Sequence, residues 1–278
     1  MDVDSCIKAY TSLMEDIFGK SSTPIDWKLD VKGRFSSASL EKAIESLIPA
    51  SEDKETALLN DSRSDRRPCR VFVCAVRKGN TSLARFRSYE SDALMDEGGV
   101  TIWQAARATS AATSFFDPIT IGEGYAGREY VDGALGCNNP LDEVWTEAHD
   151  IWTEGQSRLE ARLKCVVSIG TGNPGTSAVG DKPWSIVETL KGIATQTENT
   201  ERLFAMSHPE LLSPKRCYFR FNVEQGLQGV GLEEFKRQGD IFNATAKYLN
   251  DNQLLKIQFR ECALILSHKE CTFNEDFA

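Results

Sequence analysis

The sequence predicts an α/β fold, a mostly parallel central sheet flanked by helices, and two observations predict it. Residues 71–76 (VFVCAV) and 165–169 (CVVSI) are short, apolar on both faces and rich in β-branched side chains, as strands buried inside a parallel sheet are. Segments with apolar residues at helical spacing precede, separate and follow these runs. Strands alternating with helices are the pattern of an α/β domain. No stretch rich in Pro, Gly or Ser and no repeat divides the 278 residues, so the chain reads as one domain over 1–278. Residues 1–175 carry the candidate site, and 176–278 read as a helical and strand extension of the same domain.

The chain opens in a helix, because Val3, Ile7, Tyr10, Met14 and Ile17 fall on one stripe of a 3.6-residue period. Asp2 or Asp4 can cap its start, and Gly19 stands where a helix ends. A second helix, from about Ser39, carries Leu40, Ala43, Ile44, Leu47 and Ile48 and stops at Pro49. Residues 51–68 are polar, with Arg63, Arg66 and Arg67 interleaved with Asp61 and Asp65. They read as a solvated loop, with a lipid-headgroup patch as the alternative. The strand at 71–76 has a candidate neighbour at 83–89. Residues 102–112 form a helix dense in alanine (Ala105, Ala106, Ala108, Ala111, Ala112) that can press close against a sheet. A strand at 128–131 runs into Asp132-Gly133. A further helix starts after Asn138-Asn139-Pro140, where Asn139 suits an N-cap and Pro140 a first turn. The strand at 165–169 ends in Gly170-Thr171-Gly172. A helix at 184–206, an alternating strand at 217–223 and helices at 232–249 and 251–266 complete the chain.

Composition narrows the function classes. Hydrophobic residues make up 41% and charged residues 26%, enough for a real core. With 32 Lys+Arg against 41 Asp+Glu the net charge is -9, which argues against nucleic acid as a partner. No apolar run reaches the roughly 18–20 residues of a membrane span, and no secretory signal opens the chain. Of eight cysteines none sits in a C-x-x-C pair, and several lie inside apolar strands as small hydrophobes. His149, His208 and His268 are far apart and lack metal-ligand spacing, so no metal site is expected. Reduced thiols point to a cytoplasmic chain, peripheral to membranes at most.

The stretch 130–134 holds the most chemistry. A carboxylate just past a buried strand lies at the sheet edge where α/β folds gather their ligands. There Asp132 can take a proton from a neighbouring hydroxyl or hold a base in place. Gly133 lets another backbone or a substrate approach closely. The plain alternative is an Asp-Gly turn with no further role. Gly170-Thr171-Gly172 invites a phosphate-loop reading, but G-x-x-x-x-G-K-[ST] is absent and a tight turn suffices. Cys137 is a conceivable substitute nucleophile, with a packed small side chain as the plainer reading. Trp103, Phe115 and Phe116 suit either an acyl pocket or ordinary core.

Several blocks together resemble the patatin-like phospholipases. They are the run from Trp103 through Gln104, Arg107 and Thr109 to Ala112, then Phe115-Phe116, Asp132-Gly133-Ala134 with its Asn138-Asn139-Pro140, and Val167-Ser168-Ile169-Gly170-Thr171-Gly172. The opening helix with Tyr10 and Ile17-Phe18-Gly19-Lys20 looks like the helix that trails the nucleophile in that family. Tyr218 to Val223 is similar to fungal members. Thr113 departs, standing where members usually carry proline.

The resemblance implies acyl-ester hydrolysis by a Ser–Asp dyad without a cofactor. Asp132 would be the general base, Gly133 and Ala134 the supporting turn, and a phospholipid or other acyl-ester lipid the substrate. The family's serine stands in a G-x-S-x-G elbow, and a glycine-rich loop upstream supplies the oxyanion donors. Neither motif is present. Gly19-Lys20-Ser21-Ser22-Thr23 and Gly175-Thr176-Ser177-Ala178-Val179 lack the second glycine, and Gly98-Gly99 follows acidic residues. No nucleophile is therefore assigned, and loss of an oxyanion donor alone costs about 10²–10³ in rate. The expectation is an N-terminally incomplete fold without activity as given. The alternatives are a non-catalytic lipid- or protein-binding module, or an incomplete gene product. Self-association is expected through an exposed sheet edge at 71–76 or 165–169.

Overall fold

The computed structural model describes residues 2–19, 33–49, 53, 55–61, 69–91, 98–113, 115–153, 158–173, 184–228, 230–231 and 233–268, without the side chains of 184–191 and 194. Arg63, Asp65, Arg66 and Arg67 of the polar stretch lie outside them, as do Lys20 to Thr23 and the run from Gly175 to Val179. Although the sequence reads as one domain, the residues gather into two compact units. One comprises 1–138 with 231–235; the other comprises 139–230 with 236–278.

The first unit opens with α1 (Val3–Phe18), capped by the Asp2 carboxylate, which accepts the Ser5 N–H. Only Met14 and Ile17 of its apolar stripe are buried; Val3, Ile7 and Tyr10 are exposed. The second helix, α2 (Ser37–Leu47), starts at a Ser36 cap. A hairpin follows, β1 (Phe72–Arg77) and β2 (Leu83–Arg87), then α3 (Ile102–Thr109), β3 (Ile119–Ile121), a 3₁₀ turn over Gly124–Ala126, β4 (Arg128–Asp132) and the single turn α4 (Ala134–Cys137). Thr101 and Gln104 form a reciprocal capping box at the start of α3. Backbone bonds from Leu59 to Val100 and from Ile102 to Ala57 tie part of the polar stretch down beside it.

The four strands form one sheet in the order β2-β1-β4-β3, and every pairing in it is antiparallel. The mostly parallel sheet expected from sequence is therefore corrected. β1 lies between β2 and β4 with α3 and α4 packed on it, so its residues from Phe72 to Val76 are apolar, as in a parallel strand, and Arg77 at its end is the exception. The short link between β1 and β2 requires an antiparallel pair, because a parallel crossover needs a dozen or more residues. β1 is also interior, so 71–76 does not offer the unpaired edge expected of it. One core lies on this sheet around Phe86 and Tyr130, whose rings meet edge to face at 5.2 Å. A second, around Phe35, Phe115 and Phe116, joins α1, α2 and the end of α3. Arg107 reaches into it: Nε lies 3.3 Å from a Glu41 carboxylate oxygen, and Nη2 donates to the Asp117 carbonyl at 2.6 Å.

The second unit holds α5 (Leu141–Trp152), α6 (Leu159–Arg162), β5 (Val166–Ile169), α7 (Trp184–Ser207), α8 (Pro209–Leu212), β6 (Tyr218–Phe221), a 3₁₀ turn over Phe235–Arg237 that begins in the other unit, α9 (Gln238–Asp251) and α10 (Gln253–Ser267). Its β5 and β6 pair in parallel, the one parallel ladder among the described residues. Leu141, Phe204, Leu211, Cys217 and Tyr218 form its core. Asn139 does not cap α5, whose start has no side-chain cap; its buried amide donates to the Thr197 carbonyl instead. No described helix is long and apolar enough to cross a membrane.

Candidate active site

Asp132 is the last residue of β4 and stands opposite Ala75 in the ladder with β1. Its N–H donates to the Ala111 carbonyl at 3.0 Å, just beyond α3. The chain then passes through Gly133 into α4. Gly133 has an ordinary right-handed backbone, φ -60, so the position needs glycine for space and not for a special dihedral. A Cβ there would lie 2.4 Å from the Cys74 carbonyl oxygen. The Thr109 hydroxyl, at the end of α3, donates to that same carbonyl at 2.6 Å. Sheet, helix and turn thus meet on one oxygen; Thr109 stands in the block that carries the family resemblance, but the sequence assigns neither it nor Cys74 a part in the site. The available signal was Thr109 itself, a hydroxyl at the end of a helix otherwise rich in alanine.

One carboxylate oxygen of Asp132 accepts the Ala134 N–H at 2.7 Å. Burial pushes the carboxyl above the usual carboxylate range, and the Ala134 hydrogen bond pulls weakly the other way. A half-buried carboxylate with a raised pKa, fixed at one oxygen, is suited to accept a proton at the other.

The patatin-like phospholipase profile matches residues 2–145, a span that contains α1, α3, the sheet and the Asp132 turn. The chain belongs to the patatin-like phospholipase family. It is 27% identical over 292 aligned residues to calcium-independent phospholipase A2-gamma of Oryctolagus cuniculus, covering 99% of this chain and 34% of that protein. It is 32% identical over 149 residues to phospholipase A I of Arabidopsis thaliana, covering 52% of this chain and 10% of that protein. To the 85/88 kDa calcium-independent phospholipase A2 of Rattus norvegicus it is 27% identical over 165 residues, covering 50% and 18%. The chain therefore spans about a third of the length of the gamma-type relative, and less of the other two.

Within this patatin-like chain the other candidates sort clearly. Cys137 ends α4, half-buried, its N–H bonded to the Gly133 carbonyl at 2.7 Å. Phe115 and Phe116 are core, stacked among Phe18 and Phe35, and Trp103 packs against the sheet core with its indole N–H on the Glu55 carbonyl. Gly170-Thr171-Gly172 follows β5 and is held by Asn222. The Gly172 N–H donates to the Asn222 side chain, and a Cβ at Gly170 would lie 2.2 Å from that same oxygen. His149, His208 and His268 all belong to the second unit, whereas Asp132 belongs to the first.

Two outcomes test this geometry. Gly133→Ala should cost about 1–3 kcal/mol of unfolding free energy, since the methyl group meets a carbonyl held by the sheet; urea denaturation measures it. Asp132 has its folded pKa raised, so its stabilising contribution is present below the unfolded pKa and is lost as pH rises through the folded one. Asp132→Asn keeps the acceptor for Ala134 and removes the buried charge. The variant should therefore melt above the parent at pH 7, by a margin that shrinks toward pH 4.

Proposed function

We propose that this chain is the aspartate-bearing part of a lipid acyl hydrolase acting on a phospholipid or another acyl-ester lipid. The observation that carries the reading is Asp132, held at the end of β4 with burial raising its basicity, inside the span that matches the family. In this reading Asp132 accepts the proton of a serine hydroxyl as that oxygen attacks the ester carbonyl. The proton passes to the departing alcohol, and water then releases the fatty acid from the acyl-enzyme by the same base. The reaction needs no cofactor. The relatives named as phospholipases A favour a phospholipid substrate. We place the protein in lipid degradation in the cytoplasm, working at membrane surfaces.

The sequence has no G-x-S-x-G motif, so the 278 residues by themselves are proposed to be inactive. The same observation favours a second reading, a non-catalytic lipid- or protein-binding member. Hydrolysis of a nitrophenyl acyl ester separates the two. The chain and its Asp132→Asn variant should both stay at background. A version extended upstream by a segment bearing the elbow should turn over, and Asp132→Asn should reduce that rate by about 10²–10⁴-fold. Turnover indifferent to Asp132 would remove it from the site. Liposome binding with no turnover in the extended version would favour the non-catalytic reading.

Self-association is proposed to run through β5, which pairs only with β6 among the described residues and exposes Val167 and Ile169. Light scattering should show dimers or larger species that Ile169→Lys returns toward monomer. A parent chain that is already a clean monomer would rule this out.

A further inference from the structure

The second unit gathers three metal-ligating side chains that the hydrolase reading does not use. His208 immediately precedes α8, and its ring lies against Trp145 and Phe204, with ring centres 4.1 and 4.6 Å away. Two aromatic neighbours fix the plane of the imidazole. Its Nδ1 lies 3.7 Å from Glu210 Oε1, in the first turn of α8, and 4.0 Å from Glu160 Oε1 on α6. One donor atom from each residue falls within 4.8 Å of the other two.

These separations are too long for hydrogen bonds between the partners. The two distances to Nδ1 are a few tenths of an ångström longer than the roughly 3.3–3.5 Å between neighbouring ligands of a tetrahedral zinc ion with bonds of about 2.0–2.1 Å, and the donor atoms as a set spread to within 4.8 Å. Small side-chain rotations would close the difference. The three side chains are partly shielded, at 18%, 20% and 36% exposure for His208, Glu160 and Glu210, which leaves one side open for water. Arg158 sits 3.6 Å from the other Glu160 oxygen and is itself largely exposed, and Lys215 bonds the Glu160 carbonyl. One imidazole with two carboxylates suits zinc or a similar borderline divalent ion, whereas calcium takes six to eight oxygens.

We propose that Glu160, His208 and Glu210 bind one zinc-class divalent cation, through Nδ1 of the histidine, one oxygen of each glutamate and water. The ion fastens α6 to α8 beside the core at Phe204 and Leu211. This site is independent of the hydrolase reading, and its test does not use turnover. The chelator-treated 278-residue chain is titrated with Co²⁺ and followed by visible absorption, and with Zn²⁺ followed by equilibrium dialysis and thermal melting. The expected result is one ion per chain, a cobalt band of low-coordinate type and a melting temperature that rises with zinc. Glu210→Gln, at a partly exposed position, should keep the fold by circular dichroism and weaken binding by about tenfold or more. His208→Gln should abolish it, and His149→Gln on α5 should leave it intact. Failure to bind at sub-millimolar zinc overturns the proposal. So does binding that survives both site variants and disappears when the thiols are alkylated, which would place the ion on cysteines.

Discussion

The carbonyl of Cys74 is where the candidate site is anchored. It accepts the Thr109 hydroxyl from α3 and faces the bare α-carbon of Gly133 at a distance that excludes any side chain. Cys74 pairs with Arg85 of β2, and the next residue, Ala75, begins the ladder with β4, so this oxygen belongs to backbone held by both neighbours. Asp132, one residue before Gly133, takes its position from the middle of the sheet and not from a free loop. A carboxylate mounted in this way has little freedom to move. Burial that stiffens the site also raises the basicity of its carboxyl, so one packing decision serves geometry and chemistry together.

The same stiffness extends through α3 by way of Arg107. Its guanidinium is almost wholly buried, which lowers its pKa, while Glu41 and Asp117 act in the opposite direction. It joins α2 to the loop at Asp117 and lies over the Phe116 ring. Its planar fork presents Nε to the Glu41 carboxylate and Nη2 to the Asp117 carbonyl in one fixed geometry. The phenylalanines around it, Phe18, Phe35, Phe115 and Phe116, fill the space between α1, α2 and the end of α3. Residues that could have lined a lipid pocket are spent on holding the helices that back the sheet.

The second unit is held by different means. Among its described cysteines, Cys217 and Cys262 are buried and Cys165 is half-buried. Burial and the neighbouring Cys262 push the Cys165 thiol up to about 12, and burial raises that of Cys217, so neither carries appreciable thiolate at neutral pH. Its two strands stay together through a parallel ladder extended by the bond from Gly170 N–H to the Phe221 carbonyl and by the Asn222 side chain on Gly172.

Local order was legible in the amino acids themselves. The Asp2 cap, the apolar stripe ending at Ile17, the strand at β1, the alanine-rich α3 and the Asp132-Gly133 turn all depend on neighbours within a few residues, and all stand where the sequence put them. The family was legible too, because its blocks keep their residues in order along the chain. What needed tertiary structure was everything that joins distant residues. Apolar burial on both faces of β1 reads the same whether its partners run parallel or antiparallel, and only the ladders with β2 and β4 distinguish them. Asn139 has the chemistry of a helix cap, but the Thr197 carbonyl was there to take its amide. Phe115 and Phe116 suit a pocket or a core, and the presence of Phe18 and Phe35 made them core. Asp132 could be named from sequence as a carboxylate at a strand end. Its raised pKa could not, because that shift comes from burial, a property of what the rest of the chain places around it.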